Sequence, residues 1–339
     1  MKSIKIILCL LVVFVFASWK NYSYKKAPIY KVAFYNLENL YDTINDLDVQ
    51  DEEFTPAGKN QWTSPRYKTK LNQMAKVISS IAPDFIGLAE IENKGVLEDL
   101  IKNPQMVSFG YEIVHVNSPD VRGIDVAFLY RKNKFTVTEF HAIKISLADD
   151  TSFLTRDILQ VEGVLSNKDS ICFFINHWPS RRGGTEQSEV KRLAAASALR
   201  TAVNQFTMKH PNTNVILMGD LNDNPGDKSI ASILKADSIA SGSTNELFNP
   251  MLLLFSRYKI GSLYYKGNQD LFDQIIVSDR LVGRNGGKEK LISNTIIYKP
   301  EWLFKINKYK ENTPWRTFEG ADYSGGYSDH CPVFINIRL

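Results

Sequence analysis

The sequence predicts a mixed α/β protein built in layers, and three observations carry that prediction. Nine short runs rich in Val, Ile, Phe and Tyr recur along the 339 residues, most of them bounded by turn residues. Two longer stretches place apolar residues at helical spacing. No internal repeat, low-complexity tract or Pro/Gly/Ser linker divides the middle of the chain. Strands that outnumber helices, with long helices between them, suit stacked layers better than a purely parallel wound sheet.

The elements follow in order. Tyr30 to Tyr35 is the first strand. The helix Tyr67 to Ile81 sets Leu71, Met74, Val77, Ile78 and Ile81 on one face and stops before Pro83, as a helix should. Strands are predicted at Asp84 to Ala89, Tyr111 to Val116, Val126 to Tyr130, Ile158 to Leu165 and Ile171 to Asn176. A second helix, Glu186 to Phe206, spaces Val190, Leu193, Ala196, Leu199 and Val203 along one face. Val215 to Met218, Leu271 to Val277 and Val333 to Ile337 complete the strands.

Composition is ordinary for a globular chain, with 44% hydrophobic and 23% charged residues. Lys2 and Lys5 precede an apolar stretch from Ile6 to Ala17, which reads as a secretory signal peptide over residues 1–18, with cleavage near Ala17 or Ser18. The run is shorter than the ~20 residues a membrane span needs. Cys9 lies in mid-run behind Ile-Ile-Leu, so lipid anchoring is not expected. The formal charge of +4 falls to about +2 without Lys2 and Lys5, too little for a protein that coats a polyanion. A charged substrate must then be met by a few placed Arg and Lys side chains. Cys172 and Cys331 both sit in strand-like runs, where two buried thiols are expected and a single disulfide stays open.

Polar residues gather at the ends of the strands. Tyr30 to Tyr35 delivers Asn36 and Glu38, which a two-residue period sends to one side if the strand continues. Asp84 to Ala89 delivers Glu90 and then Glu92, Val215 to Met218 delivers Asp220 and Asn222, and Ser328-Asp329-His330 leads into the last strand. Each fragment alone has an ordinary explanation, as a turn, a cap or a core-edge histidine. Together they describe an oxygen-rich cluster at one sheet edge, which suits Mg²⁺, Mn²⁺ or Ca²⁺ better than Zn²⁺. Such an ion polarises a phosphoryl oxygen while a carboxylate or His takes a proton from water.

Phe34-Tyr35-Asn36-Leu37-Glu38-Asn39, Ile86-Gly87-Leu88-Ala89-Glu90, Asn176-His177, Gly219-Asp220-Leu221-Asn222 and Ser328-Asp329-His330-Cys331-Pro332-Val333 occur in a fixed order. In that order they resemble the successive signatures of the endonuclease/exonuclease/phosphatase superfamily, the DNase I-like proteins. The resemblance runs from about Tyr30 to the C-terminus. It implies a four-layer sandwich, two packed mixed β-sheets flanked by α-helices, and one catalytic domain over 28–339 behind a short segment at 19–27. It also implies roles: Asn36, Glu90 and Asp329 as metal ligands with Glu38 beside them, and Asp220 orienting or deprotonating the attacking water. Asn222 would hold phosphate or metal, His177 and His330 would form the acid/base pair, and Asp273 would orient His330. Ala89 stands where the family usually has Gln, and Gln274 where it usually has an aromatic residue. Arg156, placed before the Ile158 strand, resembles a phosphate-contacting Arg, and Arg182 on a Gly-rich loop is a second candidate. Asp125 is a candidate partner of His177.

The function expected is an exported, periplasmic or extracellular phosphodiesterase that uses Mg²⁺ (or Mn²⁺, with Ca²⁺ open) to cleave DNA or RNA. Phospholipid or small-molecule phosphoesters are the alternative substrates, with Met251 to Phe255 the nearest candidate for a membrane-facing segment. A catalytically inactive binding module is a third reading, opposed by the retention of the whole polar set. No stable protein partner is inferred. Loops Asn39 to Trp62 and Gly283 to Pro314 are expected to set specificity.

Overall fold

The computed structural model describes residues 27–237, 246–265, 267–282, 295–307 and 309–339. The signal peptide expected over 1–18, all but the last residue of the segment at 19–27, and residues 283–294 of the second specificity loop lie outside the described residues.

Strands β1 (Ile29–Leu40), β2 (Phe85–Ile91), β3 (Tyr111–His115) and β4 (Asp125–Arg131) join Ile296–Ile297 and the C-terminal strand Val333–Arg338 in a six-stranded sheet. β1 lies at its centre, parallel to β2 on one side and antiparallel to Val333–Arg338 on the other. The second sheet runs β5 (Phe135–Ile143), β6 (Ile158–Leu165), β7 (Ser170–His177), β8 (Asn214–Asp220), then Asp273–Ser278, Leu247–Phe248 and Ala236–Asp237. Here β7 and β8 are parallel and Asp273–Ser278 is antiparallel to β8.

Alternation along each strand fills a different layer with each set of side chains. Tyr30, Val32 and Phe34 of β1 enter the core between the sheets, while Ala33, Tyr35 and Leu37 pack beneath helices α1 (Ser64–Ile81) and α2 (Lys94–Lys102). Ile171, Phe173 and Ile175 of β7 face inward, and Cys172 and Phe174 face helix α3 (Thr185–Lys209). Both faces of the central strands are buried, hence their almost unbroken apolar runs. The result is helix, sheet, sheet, helix.

Aromatic rings tie the sheets together. Phe173 lies with its ring centroid 5.1 Å from Phe85 and 4.8 Å from Phe128 of the opposite sheet. Truncating such a ring to Ala costs roughly 3–5 kcal/mol. A Cβ on Gly87 would sit 2.6 Å from Met218 Sδ across the interface, so the sheets approach there with no room for a side chain.

Several sequence-based boundaries shift. α1 starts at Ser64 and ends as predicted, with Ala82 in the left-handed region at φ 51°. The buried face of α3 runs through Arg192, Ala195, Ala196, Leu199, Val203 and Phe206, so Val190 is exposed where a core position was expected. Arg192 occupies that face because its Nε pairs with buried Asp223 at 2.7 Å. β5 and α2 were not predicted. β5 is a sheet-edge strand with Glu139, Phe140 and His141 all exposed, and α2 buries only Val96, Leu97 and Leu100, too few for a clear period. The candidate membrane segment is a helix, Met251–Tyr258, whose Met251 and Phe255 pack on the inter-sheet core. No helix among the described residues is long and apolar enough to cross a membrane. Cys172 and Cys331 are free, buried and held in separate clusters on the outer sides of different sheets, so the disulfide left open does not form.

Candidate active site

One edge of the sandwich collects the polar strand ends. On the second sheet, backbone register brings them together: His177 lies opposite Asp220 in the β7–β8 ladder, and Asp273 lies opposite Asp220 on its other side. Three functional side chains thus stand abreast on three neighbouring strands. A Cβ on Gly219 would meet the Asn176 carbonyl oxygen at 2.5 Å, which explains a glycine before Asp220. Asn222, at φ 50°, turns back so that its backbone N–H donates to Asp220 Oδ1 (3.0 Å) and its Nδ2 to the Trp178 carbonyl (3.0 Å).

His330 reaches the same point from the start of the last strand. Its backbone bridges Leu263, and Cys331 N–H donates to the Ser262 carbonyl at 2.8 Å. His330 Nδ1 is 2.7 Å from Asp273 Oδ2, which also accepts from Ser262 Oγ at 2.5 Å, while Nε2 is 3.8 Å from Asp220 Oδ2.

On the first sheet, irregular backbone positions the residues. Register shifts lie between Asn36 and Leu40 in the β1–β2 pair and between Ala89 and Ile91 in the β2–β4 pair. Glu38, Asn39 and Glu90 all have positive φ, at 52°, 61° and 62°. Such conformations are uncommon outside glycine and persist where the surroundings enforce them. Asn36 Oδ1 accepts from Glu38 N–H (2.9 Å), and Glu90 Oε2 accepts from Asn39 N–H (2.9 Å). Asn36 Nδ2 donates to Asp220 Oδ2 at 3.0 Å, joining the two sheets at the site.

The two histidines are driven to opposite charge states. Burial pushes His177 well below the ordinary histidine pKa, and Arg156, Arg122 and His330 push the same way. Burial also opposes the charge on His330, but Asp273 and Asp220 hold its pKa well above the ordinary value. His330 is therefore an imidazolium and His177 a neutral imidazole at neutral pH, the separation expected of groups with different proton-transfer tasks. Burial raises Asp220 to about 7, with His330 lowering it and Asp273 raising it. Burial and then Asp329 raise Glu38 to about 7 against Lys70 and Arg316. Asp329 stays below the usual range: burial opposes this, and Arg316, His330 and Lys70 outweigh it.

The donor set fits a hard divalent cation. Glu90, Asp329 and Asn36 offer oxygen, and Glu90 Oε1 receives no hydrogen bond among the described residues. Glu38 is placed beside this set with both oxygens engaged, by Arg316 Nε (2.8 Å) and Thr317 N–H (2.7 Å). Arg316 Nη2 continues to Asp329 Oδ2 at 2.9 Å. Ligand atoms of Asp220, Asp273 and His330 also lie within 4.8 Å of one another. All three are already engaged by hydrogen bonds, His330 Nδ1 to Asp273 Oδ2 and Asn36 Nδ2 to Asp220 Oδ2.

A family model described as the endonuclease/exonuclease/phosphatase family matches residues 31–339. The chain belongs to that family. It is accordingly a hydrolase of phosphoric esters, from a family that depends on divalent metal. Solved structures share the fold at low identity. An endonuclease/exonuclease/phosphatase family protein from Bacteroides thetaiotaomicron is 16% identical, with a TM-score of 0.56 over 92% of this chain and 98% of its own. A mannosyl-6-phosphatase from the same organism is 17% identical, with a TM-score of 0.52 over 91% and 100%. D. rerio TDP2 complexed with a single-strand DNA product is 14% identical, with a TM-score of 0.53 over 92% and 99%. No curated protein matches the sequence.

Within this family member, two expected residues, Asp125 and Arg156, stand away from their assigned places. Asp125 does not partner His177: Oδ2 meets His115 Nε2 at 2.8 Å and Oδ1 accepts from Ser118 N–H and Oγ. Arg156 is buried rather than open to phosphate. Its guanidinium donates to Asp120 Oδ2 (2.9 Å) and to the carbonyls of His177 (3.1 Å) and Trp178 (2.6 Å), so it shapes the strand end that carries His177. Arg182 is exposed on its loop, its backbone N–H donating to Ser180 Oγ at 3.4 Å.

Other site residues escaped the sequence. Arg122, a partly exposed guanidinium bonded to Asp120, lies where its charge acts on Glu90 and His177. Lys70 is buried on the apolar face of α1, donating to Thr317 Oγ1 (2.7 Å) and the Tyr327 carbonyl (2.6 Å). A lysine four residues before Met74 and seven before Val77, on the stripe that packs inward, is the signal that would have found it. Arg316 and Ser262 sit in loops and carry no comparable sign. Beside Asp329 and Arg316 opens a cavity of about 870 Å³ lined by Tyr264, Tyr265, Asn268, Gln269 and Asn312. A second cavity of about 600 Å³, between α3 and β5, contains none of the site residues.

Proposed function

We propose that this chain is an exported phosphodiesterase that hydrolyses nucleic-acid phosphodiester bonds with Mg²⁺. The observation that carries the reading is Asp220 standing between His177 Nε2 (3.6 Å) and His330 Nε2 (3.8 Å), hydrogen-bonded to Asn36 of the opposite sheet. Asn36, Glu90 and Asp329 would hold the cation, which when bound would supply Lewis-acid polarisation of the phosphoryl oxygen. Asp220 accepts the proton of the attacking water. His177 Nδ1 is buried without a partner, and Nε2 faces Asp220 at 3.6 Å and Glu90 at 3.8 Å. Two anions on that side favour the proton on Nε2, so His177 donates a hydrogen bond to a phosphoryl oxygen rather than acting as a base. His330, kept protonated by Asp273, gives its proton to the departing oxygen as the phosphorus–oxygen bond breaks. Arg122 and Asn222 position the phosphate. Export rests on Lys2, Lys5 and the apolar run Ile6 to Ala17.

A second reading, hydrolysis of a small phosphoester, is favoured by one observation. The cavity beside Asp329 is of small-molecule size and, among the described residues, is lined largely by tyrosines and amides, with Arg316 at its edge. The TDP2 and mannosyl-6-phosphatase neighbours illustrate both substrate types on this fold. The deciding experiment offers the full chain plasmid DNA, RNA, bis-p-nitrophenyl phosphate and mannose 6-phosphate with Mg²⁺, Mn²⁺ or EDTA, beside His330→Ala. Metal-dependent nucleic-acid cleavage that the variant loses is the expected result. Turnover of the small esters alone establishes the second reading, and no turnover of any of them overturns both.

A further inference from the structure

The loop after β1 holds a second group of carboxylates that the hydrolytic site does not use. Ligand oxygens of Asp46, Asp51 and Glu92 lie within 4.8 Å of one another. Asp51 and Glu92 are only 1% and 5% exposed, whereas Asp46 faces solvent. One oxygen of each buried carboxylate has a backbone donor: Asp51 Oδ2 accepts from Asp46 N–H (3.0 Å) and Glu92 Oε2 from Asp42 N–H (2.6 Å). Asp51 Oδ1 is buried and has no hydrogen-bond partner among the described residues. The charges acting on Glu92 are those of Asp42, Asp46 and Asp51, all negative. Buried carboxylates without a counter-charge are costly, and the remedies are protonation, an ion pair or a metal; burial first, then Asp42, Asp46 and Asp51, raise Glu92 to about 8, so a cation binding here would displace a proton.

We propose that Asp46, Asp51 and Glu92 bind a structural Ca²⁺ ion, separate from the catalytic cation. All the donors are oxygens, and Asp51 Oδ1 is an acceptor left open inside the cluster. Asp46 leaves a solvent-facing side where waters complete the shell, which suits the larger and less regular coordination of Ca²⁺ better than the strict octahedron of Mg²⁺. The ion adds a cross-link between two neighbouring segments. Residues 41–54 are tied to the rest of the edge by Gln50 N–H to the Val121 carbonyl (2.8 Å), the Tyr41 hydroxyl to the Arg122 carbonyl (2.6 Å), Trp62 Nε1 to the Tyr41 carbonyl (3.0 Å), Asp42 N–H to Glu92 Oε2 (2.6 Å) and Asn93 Nδ2 to Asp42 Oδ2 (3.4 Å). A Ca²⁺ at Asp46, Asp51 and Glu92 fastens this loop to the end of β2, two residues beyond Glu90.

The test strips the full chain with EDTA and follows CaCl2 binding by calorimetry and thermal unfolding in four proteins: unmodified, Asp46→Asn, Asp51→Asn and Glu90→Gln. Ca²⁺ at about 100 times its Kd is expected to raise Tm by on the order of 3 °C or more. Asp46→Asn changes an exposed residue, so its fold is not at risk. It is expected to weaken binding roughly tenfold or more and to lose the Tm rise. Asp51→Asn behaves alike, and Glu90→Gln keeps both binding and stabilisation. Unchanged Ca²⁺ binding in Asp46→Asn and Asp51→Asn overturns the site, as does loss of the effect in Glu90→Gln. An equal Tm rise from MgCl2 at the same concentration overturns the choice of Ca²⁺.

Discussion

The two sheets contribute to the active site by different structural means. The seven-stranded sheet places His177, Asp220 and Asp273 abreast through unbroken ladder register, so hydrogen bonds along three strands fix their spacing. The six-stranded sheet places Glu38, Asn39 and Glu90 by breaking register, at positive φ, with side chains and backbone N–H groups holding the irregular turns. Proton transfer needs donor and acceptor held within tenths of an ångström, which a ladder provides. A cation tolerates more, because its ligands close on it when it binds. Rigidity and adaptability are thus divided between the halves, and Asn36 to Asp220 is the hydrogen bond that couples them.

The division can be broken from either side. The largest effect is expected from Asp220→Asn on the ladder side: kcat falls ~1000-fold and excess metal does not restore it, as a metal titration of the variant would show. Glu90→Gln on the irregular side is expected to raise the Mg²⁺ concentration for half-maximal activity ~10–100-fold, with much of kcat recovered at saturating metal. Equal rescue of both variants by metal would remove the distinction. A smaller loss, ~10-fold in kcat with KM unchanged, is expected for Ser262→Ala, which removes the hydroxyl that steadies Asp273 beneath His330. The smallest effect concerns stability. Asn39→Ala, at φ 61°, is expected to cost about 1 kcal/mol in urea unfolding and Asn39→Gly less, because glycine accepts the left-handed backbone freely.

The same contrast explains what could be read in advance. Strands whose two faces are both buried announce themselves as apolar runs, so the polar residues at their ends were visible; Asn36, Glu90, His177 and Asp220 follow such runs and His330 precedes one. Edge and loop features were not. β5 alternates weakly because one face meets solvent, and Arg316 and Ser262 lie in segments with no period at all. The proposed pairing of Asp125 with His177 failed because closeness to the motif in the chain says nothing about direction. Asp125 starts β4, and its carboxylate faces His115 on the neighbouring strand β3.

Patterning along the chain was sufficient for the layers, the order of the strand-end motifs and the chemistry of their side chains, because burial imposes a period and phosphoester hydrolysis imposes a residue set. Tertiary structure alone assigned the charges. His177 and His330 are the same residue at the ends of similar strands, yet one is emptied of its proton by burial near three cations and the other filled by two carboxylates. Arg156 likewise leaves its expected place, turned inward to the carbonyls of His177 and Trp178, while Arg122, which the sequence did not single out, lies where its charge reaches His177. Electrostatic state depends on what lies within a few ångströms in space, and the neighbours that decide it are tens to hundreds of residues away along the chain.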